Sequence, residues 1–446
     1  MPALQSIIRG YYMSFRGKVW ILVISGIIAV YTVVGGMPFV GTMLVTSAQQ
    51  PVNDANAQLR IVESVLQHIQ NDYVDEPNMD KVRLGALRGL AGGLDPYSSF
   101  LTADQVKAYE ASKTSNKVGI GAEFSQISGY LYVISSIKGS PAEKAGLKSG
   151  DFIEYIDTKA TRDISLYDAR QLVNGNVGTT VALRVLRPGE KPQTIKVVRG
   201  TYKVPVADSR SETGKIGVIK VYSLEDGEGN DIRSQVLSLT KQGVQKIILD
   251  LRGVSAGSLA EGVAVANLFI KDGEIAKVIG RESKVQTTYK ADPSKAIFDG
   301  NLAVLIDFGT AGAAEVVASA VLDRKRGEVI GEQSFGSGTE QKLFPLSSGG
   351  GYLLTIAKWA SPNGTPFLAE DRATTGVKPS IEVKRPDTPE PLDVDSLANQ
   401  PDAQNPQPAA TPVPKPVQPK TVEDIQLKKA LEVLQDKAAA AKAGGN

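Results

Sequence analysis

Two apolar runs, at residues 247–251 and 302–306, constrain the fold of this chain more than any other feature, and the first is interrupted only by Asp250. Runs of this length are expected for parallel strands that are covered on both faces of a sheet. Helical patterns follow them at residues 259–269 and 313–323, and alternation of strand and helix is typical of an α/β architecture. Residues 201–385 are therefore predicted to form an α/β core.

The rest of the chain is predicted to form further regions, so the protein is multidomain. Residues 55–117 repeat apolar side chains at helical spacing, whereas residues 118–200 show short strand patterns. Ten of the 24 prolines lie in residues 386–420, which are therefore predicted to be an extended linker without a core. Residues 421–446 are a predicted helix with one apolar stripe, which must dock on another surface. The stripe consists of Leu427, Leu431 and Leu434.

Residues 1–54 are predicted to hold a cytoplasmic stub and a membrane anchor or signal segment. Residues 19–45 are almost uncharged and long enough to span a bilayer. Basic residues precede this run and the next one follows only at Arg60, so the positive-inside rule predicts a membrane-anchored protein with its bulk extracytoplasmic, in a periplasm or at the cell exterior. The alternative is a signal peptide cleaved at residues 46–48, which gives a secreted protein. The basic residues before the run are Arg9, Arg16 and Lys18.

Composition excludes several classes of function. The chain has no cysteine, which rules out thiolate nucleophiles, disulfides and cysteine-bound zinc. Its single histidine, His68, lies in a helical run far from every candidate nucleophile, so we predict a surface position and neither a Ser-His-Asp triad nor a metal site. With a formal net charge of +2 and no clustered basic face, no nucleic-acid partner is predicted, and no cofactor is expected.

A glycine-rich turn before a predicted strand indicates a peptide-binding region. The turn consists of Gly119, Ile120, Gly121 and Ala122. Such a turn can aim successive backbone N–H groups at one carboxylate, and the strand edge beside it can accept an extended peptide. A predicted helix at residues 166–173 forms the other wall of the groove. The region at residues 118–200 resembles a PDZ domain, which implies polypeptide C-terminal tails as partners.

Short motifs run in a fixed order along the chain. They lie at residues 73–75, 94–99, 249–253, 330–332, 335–336, 358–359, 361–364 and 376–379. Together they resemble the carboxyl-terminal processing, or tail-specific, serine protease family, over about residues 60–385 and the last helix. The resemblance implies that the PDZ domain captures a polypeptide tail and that a serine activated by a lysine amine cleaves it.

The resemblance also assigns site positions, and this chain departs from the family at the two catalytic ones. The serine position falls on Gly312, which has no side chain, and the lysine position falls on Ser337, which cannot act as a base near pH 7. The family's glutamine is retained at Gln341. The family's Asn-Pro-Gly-Gly loop falls on residues 254–257, where only Gly257 keeps the backbone role that helps to form an oxyanion hole.

These departures favour a pseudoprotease, or scaffold, that binds polypeptide C-termini without cleaving them. One alternative is an active serine endopeptidase with a rearranged site, in which Ser337, Ser255 or Ser258 is the nucleophile, although no base is evident beside them. Another alternative is a non-catalytic subunit that pairs with an active paralogue through the helical N-terminal region and the last helix, and a homo-oligomer is a related prediction. The sequence leaves catalysis open and favours inactivity.

Overall fold

The computed structural model describes Trp20, Ser25 and residues 55–112, 118–347, 349–386 and 423–443. Apart from Trp20 and Ser25, the predicted anchor or signal segment lies outside the described residues, and so does the predicted linker from residue 387 onward. Within the described ranges, no helix is long and apolar enough to cross a membrane. The chain divides into two compact units, Met1–Arg83 and Leu84–Asn446.

The first unit is described from helix α1, Ala55–Asp72, to the start of helix α2, Met79–Gly92. His68 lies on α1 with an exposed side chain, and its Nδ1 is 2.6 Å from Oδ2 of Asp72. The surface position predicted for His68 is therefore confirmed. Several apolar side chains of α1 are exposed, namely Leu59, Ile61, Val62 and Val65.

The second unit begins within α2 and continues through strand β1, Ser99–Leu101, and helix α3, Ala103–Ser112. A β-rich domain follows. Its strands are β2 (Val118–Gly119), β3 (Ala122–Ile127), β4 (Tyr130–Ser136), β5 (Phe152–Ile156), β6 (Lys159–Ala160), β7 (Thr180–Leu186), β8 (Gln193–Val198) and β9 (Gly200–Thr201), and its helices are α4 (Pro141–Lys144) and α5 (Leu166–Val173). The sheet has the order β3-β4-β5-β7-β8, so β3 is an edge strand, and α5 packs beside it.

The α/β core is built on a six-stranded sheet. Its strands are β10 (Asp208–Glu212), β11 (Ile216–Lys220), β12 (Lys246–Asp250), β15 (Asn301–Ile306), β16 (Glu328–Gly331) and β19 (Ile381–Glu382), in that spatial order. All neighbours are parallel except β10 with β11. The apolar runs at residues 247–251 and 302–306 lie on β12 and β15, as predicted.

The side chains of the central strands alternate between the two faces of this sheet, and both faces are buried. Three helices cover one of these faces. The helices are α6 (Glu228–Lys241), α7 (Leu259–Asn267) and α8 (Ala313–Asp323). Ile247 and Leu249 pack in one apolar cluster with these helices, whereas Ile248 packs in the cluster on the opposite face. Burial on both faces explains why the strands read as continuous apolar runs.

Helix α9, Ile425–Ala443, covers the opposite face of the sheet. Leu434 and Ala430 are fully buried there, and Leu427 and Leu431 pack against the same cluster. The apolar stripe predicted for the last helix therefore docks on the chain's own sheet. The carboxylate of Asp424 accepts a hydrogen bond from Leu427 N at 3.0 Å, which caps the first turn.

A cluster of polar side chains joins the end of the core to the start of α9. Arg252 donates to both carboxylate oxygens of Asp424, at 2.8 Å each. Gln426 Nε2 and Arg385 Nε both donate to Oε2 of Glu332, at 3.4 and 3.3 Å. Residues on the two sides of the predicted linker therefore meet at one carboxylate.

A second sheet packs beside the core and contains β1, β18 (Gly351–Ala360), β13 (Glu274–Ile279) and β14 (Val285–Lys290) in that order, with β17 (Thr339–Pro345) paired to β18. The β-rich domain contacts the core through its strand β4. Tyr132 stacks on Phe335 with 5.3 Å between the ring centroids, and Ala311 lies in the same buried cluster. Oγ of Ser135 is 2.5 Å from Oγ of Ser255. These contacts place one face of β4 beside the segments that resemble the protease site.

Candidate functional site

Gly312 lies at the sharp turn between β15 and α8, where it is the N-cap residue of the helix. Its backbone has φ 58° and ψ −114°, a region that favours glycine because other residues are strained there. A turn of this kind presents the nucleophile in other serine hydrolases. A Cβ atom built on Gly312 would lie 3.8 Å from Cζ3 of Trp359 and 3.9 Å from O of Ser255. The turn therefore has room for a side chain but supplies no nucleophilic atom.

A single buried carboxylate, that of Glu315, holds the two segments of the site together. Its Oε2 accepts hydrogen bonds from Gly312 N and Ser337 N, both at 2.8 Å. Its Oε1 accepts from Gly336 N at 2.7 Å and from Ser334 Oγ at 2.5 Å. The serine and lysine positions of the family are thus fixed relative to each other by one side chain.

Burial raises the pKa of the Glu315 carboxyl to about 7, although the four hydrogen bonds act in the opposite direction. Because this folded value lies above the ordinary value of 4.5, the folded state binds the proton more tightly than the unfolded state does. The contribution to stability is therefore complete below about pH 4.5 and is lost as the pH rises through about 7.

We expect the free energy of unfolding of the wild type, minus that of Glu315→Gln, to fall by at most about 3 kcal/mol between pH 4.5 and pH 8. The glutamine does not titrate, so the difference isolates this one group. Urea unfolding of both proteins across the pH range measures it. A difference that is flat, or that rises with pH, contradicts the prediction.

Ser337 is half-buried, and the structure places its hydroxyl beside a tyrosine. Its Oγ is 3.2 Å from the hydroxyl oxygen of Tyr97, and its backbone N–H is taken by Glu315. The Tyr97 ring packs against the apolar cluster of the β-rich domain. A phenol hydroxyl is a weak acid and not an amine base, so Ser337 has neither the amine of the family's lysine nor a substitute for it in these contacts.

Gln341 lies on β17 and is held by threonines. Its Nε2 donates to Thr339 Oγ1 at 2.6 Å and to Thr355 Oγ1 at 3.3 Å. Thr355 donates in turn to Asp95 Oδ1 at 3.0 Å. Asp95 also accepts from Tyr97 N at 2.8 Å. Gln341 is thus linked to the turn at residues 94–99, which presents Tyr97 to Ser337.

The loop at residues 254–257 approaches Gly312 through Ser255 rather than through Gly257. Gly257 pairs with Leu224 in an isolated parallel bridge, and its Cβ position lies 2.5 Å from Leu224 O, so only glycine fits. Ser258 caps α7 by accepting from Glu261 N at 3.3 Å. Neither serine of this loop has a histidine or lysine among the hydrogen-bond partners described for it.

The predicted peptide-binding turn leads into the edge strand β3. The carbonyls of Ile120 and Gly121 accept hydrogen bonds from Ala142 N at 2.7 Å and Ile137 N at 2.9 Å. In a trans peptide the N–H of the next residue points the opposite way from the carbonyl. The N–H groups of Gly121 and Ala122 are therefore directed away from α4 and the end of β4, as a carboxylate nest requires.

The geometry of this turn requires glycine at Gly121, whereas the Gly119 position faces only the flexible end of a side chain. A Cβ on Gly119 would collide with the side chain of Asn174. Gly121 has φ 72°, and a Cβ there would collide with Ser140 and Tyr202. Across the described part of the chain, no group of three or more His, Asp or Glu side chains could hold a metal ion.

The sequence identified neither Glu315 nor Tyr97 as a site residue. A glutamate at the third position of a helix is a recognisable capping signal, and Tyr97 belongs to the motif at residues 94–99. Neither signal indicates the partner. Arg372 was also missed: its guanidinium lies 4.4 Å from the ring centroid of Phe335, and its Nη1 donates to Phe335 O at 2.8 Å.

Comparison with known proteins agrees with this geometry. The model of peptidase family S41 matches residues 215–383, and a PDZ-domain model matches residues 132–187. The fold and the site positions therefore define a serine peptidase scaffold with a PDZ domain. The chain belongs to the family of carboxyl-terminal processing serine proteases.

Three relatives illustrate the likeness. The carboxy-terminal processing protease CtpA of Bacillus subtilis strain 168 is 30% identical over 340 residues, which cover 76% of this chain and 72% of the relative. A probable CtpA-like serine protease of Staphylococcus epidermidis is 30% identical over 374 residues, covering 83% and 74%. The solved structure of a photosystem II D1 C-terminal processing protease aligns with a TM-score of 0.61 at 26% identity, covering 73% of this chain and 93% of that one.

Proposed function

We propose that this chain binds the C-terminal tails of polypeptides through its PDZ groove and does not cleave them. The observation that supports this most directly is Gly312, which occupies the turn of the nucleophile without any reacting atom. Ser337 replaces the lysine that would activate a serine. Glu315 still joins the two segments that hold the family's serine and lysine positions.

The rearranged active site is the less favoured candidate. A serine hydroxyl needs a base within hydrogen-bond reach. The described partner of the Ser337 hydroxyl is Tyr97, and that of the Ser255 hydroxyl is Ser135. Neither a second serine hydroxyl nor a phenol hydroxyl is a base that takes the proton of a serine at neutral pH.

We expect the wild type to leave an unstructured peptide with an apolar C-terminus intact, and the double variant Gly312→Ser/Ser337→Lys to cleave it. The serine at position 312 fits the space but carries about 1–2 kcal/mol of backbone strain at positive φ, so its folding is checked first. Mass spectrometry of the same peptides with both proteins measures cleavage. The two single variants are the controls, since each supplies only half of the pair.

Cleavage by the wild type that is abolished in Ser337→Ala contradicts the proposal, because it identifies Ser337 as a displaced nucleophile. Cleavage by the double variant alone supports it and indicates that only the two side chains were lost.

We propose further that the protein is held at a membrane with its bulk outside the cytoplasm. The uncharged run at residues 19–45 and the basic residues before it support this, and release by cleavage at residues 46–48 is the alternative. Pairing with a second copy or with an active paralogue stays a prediction. Helix α9 is already covered by the chain's own sheet, which leaves α1 as the candidate contact for such pairing.

A further inference from the structure

The open edge of β3 presents the backbone N–H and carbonyl of one residue to an incoming peptide. Val133 of β4 bonds to the β5 side, since its N–H donates to Asp151 O at 2.9 Å and its carbonyl accepts from Gly150 N at 3.0 Å. Phe124 is the partner of Val133 in the β3–β4 register. In an antiparallel pair that is not mutually hydrogen-bonded, both residues direct their backbone groups outward. The N–H and carbonyl of Phe124 therefore face the groove.

A side chain of α5, the opposite wall of the groove, already donates a hydrogen bond to the Phe124 carbonyl. Arg170 of α5 donates from Nη2 to Phe124 O at 2.9 Å. The same guanidinium lies 3.6 Å from Oε2 of Glu123, and both side chains are partly exposed, at 41% and 36%. Arg170 therefore spans the groove from helix to strand, in the place that a bound peptide must enter.

The register of a bound tail follows from strand geometry. The carboxylate sits at the turn before β3, so the peptide runs antiparallel to the strand with its last residue opposite Ala122. Backbone groups alternate along a strand, so the residue two before the C-terminus pairs with Phe124. Its side chain lies on the same face as that of the last residue, which points into the apolar groove toward α5. This is the side from which Arg170 reaches across.

We propose that Arg170 makes the groove selective for tails with an acidic side chain two residues before the C-terminus, an inference that rests on the proposed tail binding. The peptide N–H takes the Phe124 carbonyl, and the displaced guanidinium pairs with the peptide carboxylate. Charge complementarity favours this occupant, because a lysine at the same position faces the guanidinium. Glu123, which neutralises Arg170 in the free protein, competes with the incoming acid.

The test measures binding of the full chain to fluorescent peptides that share an apolar C-terminal residue and differ only in Glu, Gln or Lys two residues before it. A second set carries the same changes three residues before the C-terminus, where the side chain faces the other way. We expect the Glu peptide to bind the wild type about fivefold more tightly than the Gln peptide, the scale of a partly exposed ion pair. The second set is expected to show no such preference.

Three variants locate the effect. Arg170→Gln is expected to bind the Glu and Gln peptides equally, and Arg170→Glu is expected to prefer the Lys peptide. Glu123→Gln is expected to bind the Glu peptide more tightly than the wild type does. Lys196→Gln is the matched control, because it removes the same charge from β8, at the far edge of the same sheet, and is expected to keep the wild-type preference.

The outcomes separate this inference from the proposed function. Equal affinity of the wild type for the Glu and Gln peptides overturns the inference while tail binding stands. A preference that survives in Arg170→Gln, or that disappears in Lys196→Gln, also overturns it, since another group or the net charge then causes it. If no peptide binds at all, tail binding itself is wrong and the inference is overturned with it.

Discussion

Glu315→Ala is expected to lower the free energy of unfolding by about 4 kcal/mol, one of the two largest effects that we predict for a single substitution in this chain. The carboxylate is fully buried and accepts from three backbone N–H groups and one hydroxyl. Alanine leaves these donors without an acceptor, and an unpaired buried donor costs about 1–3 kcal/mol. Water that enters the new cavity reduces the total below the sum.

Urea unfolding at a fixed neutral pH measures this loss. Ser319→Ala is the matched control, because Ser319 lies one turn further along α8 and is also buried, and the hydrogen bond described for its hydroxyl goes to Val316 O of its own helix at 3.2 Å. We expect that variant to change stability by less than about 1 kcal/mol. A loss below about 1.5 kcal/mol in Glu315→Ala means that the four donors find other acceptors and that Glu315 does not hold the site together.

Leu434→Ala is expected to cost about 3 kcal/mol, because it removes a fully buried side chain from the contact between α9 and the sheet. Large-to-small changes in a well-packed core lose the transfer free energy of the removed atoms and leave a cavity. Since α9 docks on its own chain, we expect the unfolding midpoints of the wild type and of Leu434→Ala to depend on protein concentration in the same way, or not at all. Thermal and urea unfolding at several concentrations measure both quantities.

Lys429→Ala serves as the control for this change. It lies on the same helix, 44% exposed, with only an exposed ion pair to Glu432, and surface changes of this kind stay within about 0.5 kcal/mol. A concentration dependence of the midpoint that is present in the wild type and lost in Leu434→Ala contradicts the intramolecular docking, because α9 then covers the sheet of a second copy.

Two strands and two helices of the core could be predicted because each leaves a local signal. β12 and β15 read as apolar runs since both faces are covered, and the stripe on α9 follows helical spacing. The sequence alone also shows that Gly312 lacks a nucleophile, because this depends only on the residue type at a position that the surrounding family motifs fix. The residue types at the family's two catalytic positions could therefore be identified from the sequence alone.

The contacts that organise the site could not be predicted in the same way. Tyr97 meets Ser337 across 240 residues, and Tyr132 stacks on Phe335 only because one domain packs against the other. Such pairs have no periodicity, since they are set by tertiary packing rather than by spacing along the chain. The role of Arg170 was hidden for the same reason: an arginine on an amphipathic helix reads as a solvated surface residue until the strand opposite is known.

The shared carboxylate of Glu332 has a consequence for how this family member can change in length. Arg385 and Gln426 both contact it, so residues on the two sides of the predicted linker are held at one carboxylate. For a flexible segment, the entropic cost of holding its two ends together grows only with the logarithm of its length, by about 0.6 kcal/mol for each doubling. The composition of residues 386–420 predicts a linker of this kind, so we expect insertions and deletions there to change the free energy of folding little. Loss of the contacts at Glu332 is expected to cost more.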